Sequence, residues 1–276
     1  MIRLIVNADD LGSGPARDRG IFRAFTEGLA TSASLLANGP SCRPAARAAL
    51  ACGLPVGVHL NLSEGRSLTG PIAGLTDGGD SFPGKTALRD ILLAATFDAA
   101  AVRRELLAQI ARVRDAGIEP DHLDTHQHCL LFPALTGLVA EVAEDAGIRA
   151  LRLPLPAEAG AGSPPPALAA ELALYGRLAP AAAATLRAAG LWTPDGLWGM
   201  PLLNRLDETT LAATLGSIPA GTWELMTHPG EPDPDDPFGG PQRASELQAL
   251  TAPAIRDLVA GRGIELTTFG ACACAC

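Results

Sequence analysis

Apolar runs of strand length alternate with Ala-rich amphipathic runs of helix length from one end of the chain to the other. The runs that predict strands cover residues 2–8, 32–37, 56–62, 122–125, 150–153, 222–226 and 264–269. The runs that predict helices cover residues 15–27, 43–51, 99–116, 134–146, 208–215 and 243–261. Consecutive β-α units place their strands side by side in a parallel sheet and their helices outside it. The pattern therefore predicts an α/β fold, an irregular (β/α) barrel of about seven parallel strands.

The chain length and the absence of a long linker predict a single domain. A chain of 276 residues has the usual length of one α/β barrel. We expect the domain to span residues 1–270, with loop insertions at about 63–86 and 154–200. The first insertion is rich in Gly, Ser, Thr and Pro, and the second holds three consecutive prolines followed by two short Ala-rich helices. Long loops in a compact domain usually form lids or binding walls.

The chain ends in a Cys/Ala tail, residues 271–276, which carries Cys272, Cys274 and Cys276. Such a tail can bind a soft metal or become oxidised, but a frayed terminus is the more common outcome. We assign no function to it.

Charge and hydropathy exclude several classes of partner. With 21 Lys and Arg against 30 Asp and Glu, the formal net charge is −9, which repels nucleic-acid phosphates and anionic bilayers. The longest apolar stretches fall short of the roughly 20 residues that a membrane span needs. The amino terminus becomes acidic too early for a secretory signal. We therefore predict a cytoplasmic protein without a nucleic-acid partner or a membrane span; a homodimer is compatible with the sequence.

Chemically capable side chains fall at the ends of the predicted strands, just before a turn and a helix. In β/α barrels the carboxyl ends of the strands form the rim that holds the active site. The residues at these positions are Asp9, Asp10, His59, His126, His128, Arg152 and His228. Four of the five histidines belong to this set, whereas a random scatter would put most of them on helices and loops. We expect these side chains to converge on one mouth.

Two predicted strands favour a metal site. Residues 122–128 read His-Leu-Asp-Thr-His-Gln-His, and the period of two in a strand places the polar side chains on one face. His59 and Asn61 share a face of the preceding predicted strand. Imidazoles and carboxylates that point together into a barrel mouth are potential metal ligands. A His-rich surface turn or hydrogen-bonded core histidines are the alternatives.

Asp9 and Asp10 end the first predicted strand as adjacent carboxylates. Adjacent residues diverge on a strand, so one carboxylate can reach a metal ion while the other reaches an attacking water. The alternative is that one of them caps the following helix.

Other catalytic chemistries have less support. The sequence lacks the Gly-x-Ser-x-Gly motif of a Ser-His-Asp hydrolase, and residues 12–14, Gly-Ser-Gly, lack the spacing of a phosphate-binding loop. The single lysine, Lys85, lies in the first insertion, which gives little basis for Schiff-base chemistry.

Four motifs in order along the chain, residues 7–12, 57–62, 122–128 and 227–230, resemble the YdjC family of carbohydrate deacetylases, also called the ChbG/HpnK family. The resemblance extends over nearly the whole chain. It implies an irregular β/α barrel of the glycoside hydrolase/deacetylase type, one divalent metal ion (Zn²⁺ or Mg²⁺) and the removal of acetyl groups from N-acetylated sugars.

The resemblance also implies roles for individual residues. Asp10, His59 and His126 would hold the metal, Asp9 would be the general base and His228 the general acid. The residue types agree with this division, because two imidazoles and one carboxylate leave coordination positions open, as a catalytic site requires.

Further residues have two interpretations each. Asp124 either orients a metal-binding imidazole or caps a turn. Arg152 either contacts Asp9 and tunes its basicity or forms an ordinary surface ion pair. His128 is a candidate for the surroundings of the metal or for substrate contact, and Trp198 either stacks on a sugar ring or packs in the core.

The leading hypothesis is the metal-dependent hydrolysis of the acetamide of an N-acetylated amino sugar, in an oligosaccharide or glycolipid, with release of acetate. The alternatives are hydrolysis of another amide or ester by the same centre, and a sugar-binding protein with a vestigial metal site.

Overall fold

The fold is a curled parallel sheet surrounded by helices, seen in a computed structural model that describes residues 1–157 and 164–274. The described residues form seven strands: β1 (Ile2–Leu11), β2 (Ser32–Leu35), β3 (Val56–Leu60), β4 (Leu123–Thr125), β5 (Leu197–Trp198), β6 (Gly221–Thr227) and β7 (Ile264–Thr267). Their order is β4-β3-β2-β1-β6-β5, and β7 pairs with β1. All strand pairs are parallel, which confirms the predicted fold class.

β1 organises the sheet because it pairs with three strands. β6 pairs with it from Ile2 to Ala8. β7 pairs with its beginning, up to Ile5, and β2 pairs with its end, from Asn7 onward. β6 pairs with the stretch of β1 that contacts β7 and also with the stretch that contacts β2. The strands β7 and β2 therefore share the other edge of β1. The carboxyl end of β1 therefore lies in the middle of the sheet.

One predicted strand is absent from this sheet. Residues 150–153 are not a strand; instead, Leu151 forms a single bridge to Leu123 of β4, and Pro156 forms one to Leu197 of β5. This irregular segment links the two ends of the sheet, β4 and β5. The short strand β5 is not predicted from the sequence, because two residues are too few to give a periodic pattern.

The described residues also form ten α-helices on the outside of the sheet. They are α1 (Pro15–Thr26), α2 (Cys42–Cys52), α3 (Lys85–Ala94), α4 (Ala99–Asp115), α5 (Pro133–Ala146), α6 (Pro166–Ala188), α7 (Glu208–Ser217), α8 (Gln242–Thr251), α9 (Pro253–Gly261) and α10 (Phe269–Ala273). None of them is both long and apolar enough to cross a membrane.

Two helix predictions are wrong. The second insertion contains one helix of 23 residues, α6, where two short helices are predicted, and Pro180 lies inside it at an exposed position. Conversely, the predicted helix over 243–261 is divided into α8 and α9, because Ala252 precedes Pro253 and has an extended backbone (φ −65°, ψ 130°). Residues 158–163 of the second insertion lie outside the described residues.

The cysteine-rich end begins inside the fold. Cys272 belongs to α10 and is buried, so a frayed terminus is the wrong interpretation for this residue. Cys274 is exposed, and Cys276 lies outside the described residues. Phe269, at the start of α10, stacks on His122 at a ring distance of 3.9 Å, which fixes the helix against the sheet.

The alternation of β1 separates an apolar core from a polar interior. Leu4 and Val6 pack in an apolar cluster with helix residues such as Leu215 and Leu250. The alternate residues Ile5, Asn7 and Asp9 face the interior of the sheet, and Ile5 packs on Phe269 there. The interior face thus changes from apolar to polar towards the carboxyl ends of the strands, where the candidate site lies.

Candidate active site

A pocket of about 300 Å³ opens at the carboxyl ends of the strands. It is lined by Asp9, Asp10, His59, His126, His128 and His228, among other residues. The sequence-based expectation that these side chains converge on one mouth agrees with this arrangement. Arg152 lies beneath the pocket and is fully buried.

A bulge at the end of β1 lets two adjacent carboxylates face this pocket. The register between β1 and β2 shifts between Ala8 and Leu11. Within the bulge, Asp10 has a positive φ of 67°, which redirects its side chain relative to a regular strand. Asp9 and Asp10 therefore both reach the pocket instead of pointing to opposite faces.

Asp10, His59 and His126 form a cluster that fits a metal ion. His59 Nε2 lies 3.5 Å and His126 Nδ1 lies 3.3 Å from Asp10 Oδ1. The two imidazole nitrogens are 3.1 Å apart. Asp10 Oδ1 is buried and accepts no hydrogen bond from any described residue. Two nitrogens and a carboxylate oxygen at one point could hold a metal ion and leave coordination positions open.

The second nitrogen of each imidazole faces a carboxylate. His59 Nδ1 is 2.8 Å from Asp124 Oδ2, and His126 Nε2 is 3.4 Å from Glu64 Oε1. Metal-binding histidines commonly have such a partner, which fixes the ring and raises its basicity as a ligand. Burial lowers the pKa of His126, but the adjacent carboxylates of Asp10 and Glu64 outweigh burial and raise it to about 10. The cluster thus attracts positive charge strongly.

The segment after β4 differs from the predicted extended strand. The strand ends at Thr125, and Gln127 and His128 have left-handed backbones with φ of 59° and 56°. This turn brings His126 to the cluster and His128 to the pocket wall, where its ring meets Tyr175 at 5.5 Å. Burial lowers the pKa of His128 to about 3, so its ring is neutral.

His122 is not part of the cluster. Its ring is buried, lies 2.7 Å from Asp121 Oδ1 through Nδ1 and 3.2 Å from Ser34 Oγ through Nε2. Gly57 lies directly against this ring, since a Cβ at that position would come within 2.3 Å of it. This histidine is therefore a hydrogen-bonded core residue, which is one of the alternatives that the sequence leaves open.

Arg152 connects three carboxylates below the cluster. Its Nη1 and Nη2 each donate to one oxygen of Asp9 at 2.6 Å. It also lies 2.8 Å from Asp124 Oδ2 and donates to Glu224 Oε1 through Nε and Nη2. The surface ion pair considered for Arg152 is wrong, because the residue is fully buried. Burial raises the pKa of Asp9, but Arg152 outweighs burial and lowers it, so Asp9 is ionised.

His228 lies beside Asp9. Its Nε2 is 3.9 Å from Asp9 Oδ2, and its backbone N–H donates to Glu246 Oε2 at 2.5 Å. Phe238 meets the imidazole edge-on at 5.4 Å. Burial lowers the pKa of His228 to about 3, so the ring is neutral before any reaction.

The stacking role considered for Trp198 is not supported. Trp198 is 5% exposed, packs edge-on against Trp223 at 6.0 Å and does not belong to the described pocket lining. It is a core residue because β5 places it between the sheet and the outer helices.

Sequence reasoning misses several polar residues of this region. Glu224 is buried in β6 beside Arg152, and burial raises its pKa to about 7 although Arg152 opposes the shift. A charged residue inside an otherwise apolar strand is a signal that could have identified it. Glu64, Glu171 and Tyr175 come from the two insertions, whose sequences show no periodicity that would direct them to the pocket.

Comparison with known proteins identifies the family. A family model described as YdjC-like protein matches residues 3–261. The chain belongs to the YdjC-like family. A mouse relative named carbohydrate deacetylase is 38% identical, over 96% of this chain and 93% of that protein. A Proteus mirabilis relative named chitooligosaccharide deacetylase is 30% identical, over 96% of this chain and 97% of that protein.

A solved structure shares the fold of this YdjC-like chain. It is that of a proposed cellobiose-phosphate cleavage protein from Enterococcus faecalis, with a TM-score of 0.77. The two chains are 24% identical, and the match covers 98% of each. The likeness supports the fold alone.

Proposed function

We propose that this YdjC-like protein is a metal-dependent carbohydrate deacetylase that hydrolyses the acetamide of an N-acetylated amino sugar and releases acetate. The observation that carries the proposal is the cluster of Asp10, His59 and His126 next to an ionised Asp9 in one pocket. The names of the mouse and Proteus mirabilis relatives support the same reaction. We further propose that residues 1–270 act as one catalytic domain. The cytoplasmic location and the homodimer stay predictions.

Asp10, His59 and His126 would hold the metal ion. Two imidazoles and one carboxylate are typical ligands of catalytic Zn²⁺, whereas Mg²⁺ prefers oxygen ligands, so we propose Zn²⁺ ahead of Mg²⁺. A divalent ion bound here would lower the pKa of water and polarise the amide carbonyl.

Asp9 is the proposed general base. Its carboxylate is ionised and faces the pocket, so it can accept a proton from the attacking water. Arg152 holds both carboxylate oxygens at 2.6 Å and keeps the side chain in place during the transfer. The lowered pKa makes Asp9 a weak base, so this role would depend on the acidity that a bound divalent ion would give to the water.

His228 is the proposed proton donor to the departing amine, because an amide anion is too basic to leave unprotonated. The ring is neutral in the resting protein, so the acidic proton has to reach it during the reaction. Asp9 lies 3.9 Å away and is the group that has just received a proton from water. Transfer of that proton through His228 to the amine completes the hydrolysis. One water is consumed, acetic acid and the free amine are formed, and the acid then loses its proton to solvent as acetate.

Acetate release tests the proposal. The protein is incubated with N-acetylglucosamine oligomers and with N-acetylglucosaminyl lipids, before and after chelation and with Zn²⁺ or Mg²⁺ restored. We expect acetate release that chelation abolishes and metal restores. Sugar binding without acetate under any metal would instead favour a sugar-binding protein, and release from simple esters alone would favour a different hydrolase.

A further inference from the structure

One wall of the pocket is built by the second insertion and has no role in the chemistry described above. Helix α6 presents Leu168, Glu171, Leu172 and Tyr175 to the pocket, and Lys85 at the start of α3 lies beside them. The four α6 residues follow the spacing i, i+3, i+4 and i+7, so they form one continuous helix face. We call these five residues the α6 wall.

Glu171 is the polar centre of the α6 wall. Oε1 lies 2.8 Å from Lys85 Nζ and 2.5 Å from Arg89 Nη2, and it accepts a hydrogen bond from the Tyr175 hydroxyl at 2.7 Å. All three of these contacts involve Oε1. Burial raises the pKa of Glu171, but the hydrogen bonds from Lys85 and Tyr175 outweigh burial and lower it. An ionised carboxylate accepts hydrogen bonds from hydroxyl groups at either oxygen, with about four lone-pair sites in all.

Lys85 places hydrogen-bond donors beside the Glu171 carboxylate. Its side chain is 32% exposed, against 13% for Glu171, so the ammonium reaches the open side of the pocket. Only one of its three N–H groups is needed for Glu171. Leu168 and Leu172 add an apolar surface on the same helix face. A pyranose ring presents hydroxyl groups at its rim and C–H groups on its face, and the α6 wall offers partners for both.

The α6 wall lies next to the metal cluster. The Tyr175 hydroxyl is 3.3 Å from the backbone oxygen of Gln127, and its ring contacts His128. Both residues directly follow His126, a member of the cluster. A sugar whose acetamide lies at the cluster therefore has its ring within reach of the wall.

We infer that the α6 wall is the sugar-binding subsite, with Glu171 and Lys85 hydrogen-bonded to pyranose hydroxyl groups and Leu168 and Leu172 against the ring. The inference rests on the proposed function and specifies how the sugar, as opposed to the acetyl group, is recognised. It explains why α3 and α6 bring an ion-paired network to the pocket although no proton transfer needs it.

The first test compares a substrate that has hydroxyl groups with one that lacks them. Glu171→Gln and Lys85→Met are assayed with N,N′-diacetylchitobiose and with 4-nitrophenyl acetate. We expect the ratio of the two kcat/KM values to shift against the sugar by roughly 10- to 100-fold, the usual effect of losing a hydrogen bond to a charged group. Arg177→Gln is the matched control, because Arg177 is an exposed residue of the same helix outside the pocket. An unchanged ratio in both wall variants would overturn the inference.

The second test leaves all residues of the α6 wall unsubstituted. Lys85 is the only lysine of the sequence, so an amine-acetylating reagent modifies only this side chain and the α-amine of Met1. We expect saturating diacetylchitobiose to slow the acetylation of Lys85 several-fold and to leave that of Met1 unchanged. The reaction is followed by peptide mass spectrometry on metal-free protein and on zinc-loaded Asp9→Asn protein, so that no turnover interferes. Absence of protection in both would refute the subsite.

The two proposals fail in different ways. If the wild-type protein releases no acetate but the sugar protects Lys85, the deacetylase proposal is wrong and the sugar subsite stands. If acetate is released while Lys85 stays unprotected and the substrate ratio is unchanged, the deacetylase proposal stands and the subsite is wrong.

Discussion

Asp124 provides a direct test of the proposed metal centre. Its Oδ2 lies 2.8 Å from His59 Nδ1 and thereby directs the other nitrogen of that ring to Asp10. Loss of such a carboxylate partner typically lowers metal affinity by about 10- to 100-fold. This factor corresponds to about 1.4–2.8 kcal/mol, at roughly 1.4 kcal/mol per tenfold change. We therefore expect Asp124→Asn to raise the Kd for Zn²⁺ by 10- to 100-fold, while Asp9 and Glu224 still pair with Arg152.

Asp121→Asn is the matched control for this experiment. Asp121 Oδ1 lies 2.7 Å from His122 Nδ1, so the substitution removes the same kind of Asp–His contact. His122, however, contacts Ser34 and not the cluster. Metal-free proteins are titrated with Zn²⁺ in competition with a chromophoric chelator, and circular dichroism verifies folding. Equal losses of affinity in the two variants, or no loss in Asp124→Asn, would refute the assignment of His59 as a ligand.

Four further predictions concern individual residues. Asp9→Asn should keep the metal but lose turnover, whereas Asp10→Asn should lose both; equal metal loss by elemental analysis would contradict this division. His228→Ala should keep the metal and slow amides more than activated esters, so equal slowing would argue against a proton donor. Burial raises the pKa of Glu224 to about 7 in the fold, above its ordinary value, so its contribution to stability is present at low pH and is lost as pH rises through about 7. The thermal unfolding temperature of Glu224→Gln should therefore fall less than that of the wild type between about pH 5 and pH 8. An equal fall in the two proteins would count against a buried titrating Glu224. Gly57→Ala should lower the free energy of unfolding by about 1–3 kcal/mol, because the new Cβ meets the His122 ring; unchanged denaturant unfolding would show that the ring can move.

Sequence periodicity predicts most of the sheet because long strands with regular neighbours carry a clear pattern. β1, β3 and β6 are found where apolar runs predict them. The pattern fails at the closure of the barrel, where residues 150–156 form single bridges and β5 has only two residues. Pairing there depends on which chain segments meet across the sheet, and local sequence does not encode that contact.

The residues of the candidate site also divide into those that the sequence predicts and those that it does not. Asp9, Asp10, His59 and His228 can be predicted because each lies at or just after the carboxyl end of a recognisable strand, and parallel strands end at one rim. Glu64, Glu171 and Tyr175 cannot, because the insertions that carry them reach the pocket only through tertiary packing. Glu224 is an intermediate case, since its position in an apolar strand is visible but its partner, Arg152, is known only from the structure.

Backbone strain locates the same rim independently of the donor atoms. The described residues include five non-glycine residues with positive φ, and three of them, Asp10, Gln127 and His128, line the pocket. A left-handed backbone costs such residues roughly 1–2 kcal/mol each. A regular strand sends adjacent side chains to opposite faces, so it could not bring both carboxylates of β1 to one pocket. The strained positions remove this restriction, and strain of this kind persists where the surrounding structure enforces it for function. The bulge in β1 and the turn after β4 are therefore the features that bring the proposed metal ligands of two ordinary strand ends to one rim.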